Sequence, residues 1–245
     1  MDAWRILQDR GPPKAAWRCV SERRPNVSAI LLLGLGLLGW AGPASAQQGI
    51  VTHSLMVSIH PAVHLTQSQV EDILKGASDI LQGQTNITPH NNCNVEFKFS
   101  GFVSFPTSAP AVIKTADDLE AVHSVPADVK VVQSIHFCAQ GKGDYVGCAW
   151  RPGGRQRTVI IAALEGISVG VGPVALAHEY GHTTGLLHRN QKDNLNLMSP
   201  CKLEQFNQQV NQNECAHFRA GPVSHYPPGS GPACQDSSSA RGRTD

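Results

Sequence analysis

Residues 178–188 read His-Glu-Tyr-Gly-His-Thr-Thr-Gly-Leu-Leu-His. Because His178 and His182 stand at positions i and i+4, a helix would place both imidazoles on one face, about one turn apart. Gly185 can adopt a left-handed backbone, end that helix and turn the chain. The turn would bring His188 back to the other two rings. Three neutral imidazoles around one open position are typical of a catalytic zinc site rather than a closed structural one.

Glu179 directly follows the first histidine and lies close to the same helix face without being needed as a ligand. It is therefore placed to accept a proton from a metal-bound water. The alternative is that the histidines only pack or form hydrogen bonds. The short pattern of two histidines around a glutamate arises by chance in long helices, but the full pattern ending at His188 rarely does. We therefore favour the metal site.

A second motif, Asn-Leu-Met-Ser-Pro, occupies residues 196–200. Together the two motifs resemble the metzincin superfamily of zinc peptidases, in which the long zinc motif precedes a turn with a methionine beneath the metal. Met198 would be that methionine, although taken alone it would more readily be explained as core filler. The turn is matrixin-like. Arg189, however, matches none of the residues that usually follow the third histidine in the known subfamilies, so the subfamily is open.

The resemblance implies an α+β fold: a twisted mixed β-sheet with an active-site helix, followed by a small C-terminal lobe after the Met-turn. We expect it to occupy residues 47–220. Hydrophobic periodicity predicts helices from Thr66 to about Leu81, over 172–184 and over 202–216. It predicts strands over 54–60, 95–105, 129–137, 145–150 and 158–163. Residues 106–128 are expected to form a polar, proline-bearing connection.

The same resemblance implies a mechanism. Glu179 would take a proton from the attacking water and return it to the departing amine, while zinc stabilises the developing oxyanion. An extended peptide or protein substrate would pair with an exposed edge strand, and the best candidate is Val146, Gly147, Cys148, Ala149 and Trp150. The alternative for this segment is a plain surface hairpin.

The N-terminal segment predicts export. Arg23 and Arg24 precede an apolar run over 29–40, and Ala44 and Ala46 form a small-x-small cleavage pattern. The run is shorter than the roughly 20 residues that span a bilayer. We therefore expect a signal peptide over 1–46, a secreted or periplasmic protein and no stable membrane anchor after cleavage. An uncleaved anchor is the alternative, and either an extended n-region or a downstream start would explain the distance from Met1.

The cysteines agree with an oxidising compartment, because the predicted mature chain keeps an even number of them and no Cys-x-x-Cys pair. They are Cys93, Cys138, Cys148, Cys201, Cys215 and Cys234. Proximity in sequence favours Cys138–Cys148 and Cys201–Cys215, leaving Cys93–Cys234. Residues 221–245 are rich in Pro, Gly and Ser and are expected to be partly disordered.

The charge composition argues against some classes of binding partner. A net charge of +1 and 16% charged residues argue against nucleic acid or a charged membrane surface. A monomer is expected. Asp193, Asn194 and Asn196 could offer oxygens to calcium, but a polar turn explains them equally well. The leading hypothesis is a secreted zinc endopeptidase. The alternatives are an exopeptidase or narrow processing enzyme on the same fold, and a non-catalytic zinc protein, which would not need Glu179.

Overall fold

The computed structural model describes residues 49–86, 91–138, 141–149, 158–163, 170–189, 195–199 and 205–223. The predicted signal peptide (1–46), nearly all of the predicted tail (221–245), Trp150, Cys201 and Cys234 lie outside the described residues. Within the described ranges, none of the helices has the length and apolar character to cross a membrane.

The described chain is a mixed α+β fold. Its strands are β1 (Val51–Ile59), β2 (Val95–Phe102), β3 (Val112–Ile113), β4 (Val129–Val132), β5 (Ser134–Cys138), β6 (Gly141–Tyr145), β7 (Gly147–Ala149) and β8 (Val159–Ala162). Its helices are α1 (Gln67–Leu81), α2 (Ala116–His123), α3 (Val171–Thr183) and α4 (Gln212–Ala220).

The main sheet is twisted and mixed, with strand order β2-β1-β4-β8-β7. The first four strands of that order are parallel, whereas β7 runs antiparallel to β8 and lies at one edge. Every residue of β4 and β8 is buried, as expected for parallel strands with both faces covered. A second sheet has the order β3-β5-β6.

The hydrophobic core lies on both sides of the main sheet. One cluster joins the sheet to α1, α3 and α4, and the other joins it to α2 and the second sheet. Helices α1 and α3 approach closely at Gly76, where an added Cβ would lie 2.8 Å from Cγ of Pro173. A glycine at this point allows the two helices to pack together.

The predicted first helix is confirmed, and its start has a clear local cause. Thr66 is the N-cap: its hydroxyl accepts a hydrogen bond from Gln69 N (3.3 Å), and the Gln69 side chain accepts one from Thr66 N (2.9 Å). This capping box satisfies two backbone donors that a helix start leaves open. The apolar stripe from Val70 to Leu81 then faces the core.

The single strand predicted over 129–137 is wrong. The segment forms β4 in the main sheet and β5 in the second sheet, because Gln133 N turns to donate to Ala111 O (2.8 Å). The expected connection over 106–128 contains β3 and α2. Helix α2 begins with a capping box between Thr115 and Asp118, a signal that the sequence carries.

The predicted helix over 202–216 is also displaced. Helix α4 covers Gln212–Ala220, and its N-cap, Asn211, forms a capping box with Glu214. Residues 205–210 are not helical; Gln209 instead bridges to Asn196. Phe206, expected on the apolar stripe, is exposed. The capping box outweighs the weak apolar periodicity because it sets the first helical turn directly.

Two disulfides join the described segments. Cys138–Cys148 is confirmed, but Cys201–Cys215 and Cys93–Cys234 are wrong, because Cys93 pairs with Cys215. Proximity in sequence fails here because α4 packs against the chain just before β2, bringing these two Cα atoms to 4.7 Å across a separation of 122 residues. Arg219 of α4 contacts the same place, donating to the carbonyls of Cys93 and Asn94.

Lys130 on β4 has a completely buried side chain, and its Nζ lies 3.4 Å from the carbonyl oxygen of His123. Burial lowers the pKa of Lys130 from 10.5 to about 7, although the charge of Asp128 opposes the shift. Burial, and secondarily the charge of Lys130, also lower the pKa of His123 to about 3. An ammonium group in this position therefore opposes folding at neutral pH.

We expect Lys130→Met to stabilise the protein at pH 7 by about 2–4 kcal/mol. Between pH 7 and 10.5 the unfolded state binds more protons at Lys130 than the folded state, so the parent becomes more stable as the pH rises through this window. In the Lys130→Met variant, the free energy of unfolding should no longer rise with pH in this way. Urea denaturation at pH 7 and pH 9.5 measures both effects, with Lys98→Met, an exposed lysine (58%), as the control. Equal slopes in parent and variant would contradict the assignment.

Candidate metal centre

Helix α3 carries the central part of the zinc-type motif. Apart from its first residue, Val171, all its residues are buried, because the helix lies between α1, α4 and the β7–β8 end of the main sheet. A helix that is apolar around most of its circumference is expected in such a position. Its last two turns present His178 and His182, each only 3% exposed.

Helix α3 ends as the sequence predicts, just before Gly185. This residue has φ of 92°, a left-handed backbone conformation that favours glycine. Its N–H donates to His182 O (3.1 Å), and Leu186 N donates to Gly181 O (3.1 Å). These two bonds form a Schellman motif. The reversal brings His188 back toward the last turns of the helix.

The three histidines converge on one point. Their Nε2 atoms lie 3.0 Å apart for His178–His182, 3.0 Å for His182–His188 and 3.2 Å for His178–His188. Within the described ranges, these residues form a group that could hold a metal ion.

Backbone carbonyls select the tautomers of two of the rings. His178 Nδ1 lies 2.6 Å from Leu197 O, and His182 Nδ1 lies 2.9 Å from Leu186 O. Because a carbonyl oxygen only accepts, each Nδ1 carries the hydrogen and each Nε2 presents a lone pair. The two lone pairs face each other across the cluster, an arrangement that a bound cation stabilises.

Met198 packs against helix α3. The side chain is completely buried, and its Sδ is 2.7 Å from where a Cβ on Gly181 would stand. Gly181 precedes His182 on α3, so the thioether packs directly against the helix that carries the histidines. Arg189 also contacts this turn, because its backbone N–H donates to Met198 O (2.8 Å).

The predicted substrate segment lies beside Glu179. Strand β7 covers residues 147–149, and Ala162 N donates to Val146 O (3.0 Å) next to it. A Cβ on Gly147 would stand 2.5 Å from Cγ and 2.8 Å from Oε1 of Glu179. The glycine therefore leaves the space that the buried carboxyl side chain occupies. The Cys138–Cys148 bridge ties the next residue of β7 to β5.

We expect Gly147→Ala to displace the Glu179 side chain and, for the peptide cleavage that the sequence predicts, to lower kcat/KM by about 10-fold or more. Zinc affinity should stay within about twofold of the parent, because no histidine is touched. Gly143→Ala on β6 is the control, since the three atoms nearest its added Cβ belong to the outer end of the Tyr145 side chain, at 3.1–3.2 Å. Steady-state kinetics measures the loss of kcat/KM, and zinc titration measures the affinity for the metal. Unchanged kinetics would show that Glu179 does not need this space.

The sequence prediction missed the surroundings of Arg189. Its guanidinium contacts Glu214 through two bonds and Asn196 through a third. The Asn196 oxygen that the calcium hypothesis requires is therefore already an acceptor for Arg189. Asp193 and Asn194 lie outside the described residues. The only sequence signal for this network is the capping-box pattern of Asn211 and Glu214.

No known protein family and no curated protein matches the chain. Among solved structures, it is similar to metalloproteinase-II from Bacteroides fragilis, with a TM-score of 0.43 and 14% identity over 71% of this chain and 54% of that chain. It is also similar to a chain of a chaperone-substrate complex, with a TM-score of 0.40 and 13% identity over 70% of this chain and 37% of that chain. The chain thus spans about half or less of either structure. With TM-scores this low, neither likeness bears on activity.

Proposed function

We propose that the protein is an exported zinc-dependent endopeptidase of the metzincin type, acting as a monomer on extended peptide or protein substrates. The observation that carries the proposal is the convergence of the Nε2 atoms of His178, His182 and His188. Two of these rings are also held in one tautomer, because each Nδ1 hydrogen is donated to a buried carbonyl oxygen.

The geometry fits zinc. In a tetrahedral site with Zn–N distances of 2.0–2.1 Å, ligand nitrogens lie about 3.3–3.4 Å apart. The Nε2 separations of 3.0–3.2 Å are within a few tenths of an ångström of that spacing. Three imidazoles complete a facial set and leave one position for substrate or water, which supports a catalytic rather than a structural role.

Each residue of the proposed site has a distinct role. His178, His182 and His188 would hold the ion. When bound, zinc supplies a Lewis acid that lowers the pKa of water toward ~7 and polarises a peptide carbonyl. Glu179 accepts the proton of the attacking water and returns it to the departing amine. Met198 supports the helix from below, and the main-chain groups of β7 align the substrate as an added strand.

Export is part of the proposal. The Cys93–Cys215 and Cys138–Cys148 bridges are typical of proteins that mature in an oxidising compartment. Together with the signal-like segment at 1–46, they favour secretion or a periplasmic location. Mass spectrometry of the N-terminus of protein recovered after export tests the predicted cleavage after Ala46. A retained apolar run over 29–40 would favour an anchored protein instead.

Metal removal tests the catalytic proposal. We expect the zinc-loaded protein to cleave internal bonds of a mixed peptide library, and a chelator to abolish cleavage, because Glu179 alone cannot activate water sufficiently. Adding zinc back should restore the activity. Mass spectrometry of the products separates internal cleavage from removal of terminal residues. A folded, zinc-loaded protein that cleaves nothing in the library would overturn the proposal.

A further inference from the structure

Arg189 is the first residue after the third histidine, and its side chain contacts the start of α4 and the 195–199 turn. Its guanidinium makes a bidentate contact with the Glu214 carboxylate. Nε donates to Oε1 (2.6 Å), and one terminal nitrogen donates to Oε2 (2.8 Å). The second terminal nitrogen donates to Asn196 Oδ1 (2.5 Å). Glu214 is 4% exposed, so this charged pair is largely removed from water. A paired, planar contact of this kind also fixes the orientation of the guanidinium relative to the carboxylate, whereas a single ammonium contact does not.

Glu214 is itself held rigidly. Its Oε2 accepts from Asn211 N (2.8 Å), and its own N–H donates to Asn211 Oδ1 (2.8 Å), which closes the start of α4. The next residue, Cys215, is bonded to Cys93. The acceptor for Arg189 is therefore fixed to the helix start and, through the disulfide, to the segment before β2.

The guanidinium of Arg189 also contacts the 195–199 turn. Asn196 is 3% exposed and directly precedes Leu197, whose carbonyl orients His178. Arg189 also donates its backbone N–H to Met198 O (2.8 Å). One residue thus connects the His188 loop, the 195–199 turn and α4.

We propose that Arg189 is a positioning residue for the metal centre: by tying the His188 loop to Asn196 and Glu214, it holds His188 at the distance from His178 and His182 at which one ion is bound. His188 needs such support because it alone of the three lies outside α3, beyond the Gly185 turn. The inference rests on the proposed zinc site, and it adds that zinc affinity depends on this contact.

The test is the zinc affinity of the full protein, measured by competition with a chromophoric chelator. We expect Arg189→Lys, which keeps the charge and loses the paired contact, to weaken zinc binding about 10–100-fold, as for other residues that orient metal ligands. Arg219→Lys is the matched control. Arg219 lies on α4 and donates to the carbonyls of Gly49, Cys93 and Asn94, far along the chain from His188. Its replacement should lower the denaturation midpoint and leave zinc affinity within about twofold of the parent.

A spectroscopic readout distinguishes positioning from general loss of structure. The visible bands of the Co²⁺-loaded protein report ligand geometry, and they should change in Arg189→Lys but not in Arg219→Lys. Parent-like zinc affinity and Co²⁺ bands in Arg189→Lys, with a lowered denaturation midpoint, would overturn the inference and leave the proposed function intact. A parent that binds no zinc would overturn both. If Arg189→Lys does not fold, Asn196→Asp, which retains an acceptor oxygen, and Asn196→Leu, which removes it, repeat the comparison: only the latter should lose affinity.

Discussion

We expect Glu179→Gln to lower kcat/KM for the proposed peptide cleavage by about 10²–10⁴-fold, the contribution typical of a positioned general base. Glutamine has nearly the same shape as glutamate, so the space beside Gly147 stays filled. It cannot take up a proton at neutral pH, however, and the attacking water then keeps both of its hydrogens. The loss corresponds to about 3–5 kcal/mol of transition-state stabilisation.

The position of Glu179 allows the expected loss of kcat/KM to be distinguished from a loss of bound metal. The side chain is not among the groups that converge with Nε2 of the three histidines, and it packs instead against β7. Zinc content and zinc affinity should therefore match the parent. His188→Ala should behave in the opposite way and lose metal first. The control for a Glu→Gln change is Glu71→Gln on the exposed face of α1.

Steady-state kinetics on one peptide found by the library screen, with zinc measured in the same samples, decides the result. A Glu179→Gln variant that contains zinc and cleaves at the parent rate would remove the glutamate from the mechanism. A variant that loses its zinc would show instead that Glu179 supports the metal centre.

Removal of the Cys93–Cys215 bridge destabilises the protein by about 4–5 kcal/mol, the largest stability effect we expect. The bond closes a loop of 122 residues. When it is removed, the unfolded chain regains conformational entropy in an amount that grows with the logarithm of loop length. This loss is comparable to the whole stability of many domains, which is about 5–15 kcal/mol. Cys93→Ala/Cys215→Ala is the variant to measure.

The second bridge supplies the matched comparison. Cys138–Cys148 closes a separation of only 10 residues, so Cys138→Ala/Cys148→Ala should cost about 2.5–3 kcal/mol by the same relation. Guanidinium denaturation of both variants beside the parent gives the two values. Equal losses would contradict the loop-length explanation. Mapping of peptides from the unreduced protein must also find Cys93 linked to Cys215, because a link to Cys234 would invalidate the comparison.

The local parts of the site could be predicted from the sequence. The spacing of His178 and His182, the Gly185 turn and the start of α1 at Thr66 each depend on residues within a few positions of one another. Helix geometry and capping relate such residues in the same way in every protein. For the same reason the α2 capping box was available in the sequence, although the polar composition around it favoured a connection.

Contacts between distant segments could not be predicted in this way. Proximity in sequence predicted Cys201 as the partner of Cys215, whereas packing of α4 beside the start of β2 brings Cys93 to it. Likewise, no spacing rule relates Gly147 to Glu179, because the contact depends on how β7 lies across α3.

The sequence by itself determined which chemical groups the candidate metal centre contains: three imidazoles at helix-and-turn spacing, a carboxylate beside the first of them and a methionine downstream. The tertiary structure decided which distant groups surround them: the carbonyl of Leu197 at His178, the space at Gly147, and the contact of Arg189 with Glu214. The physical reason is that ligand type and local spacing are properties of neighbouring residues, whereas orientation depends on the packing of segments far apart in the chain, to which the whole core contributes.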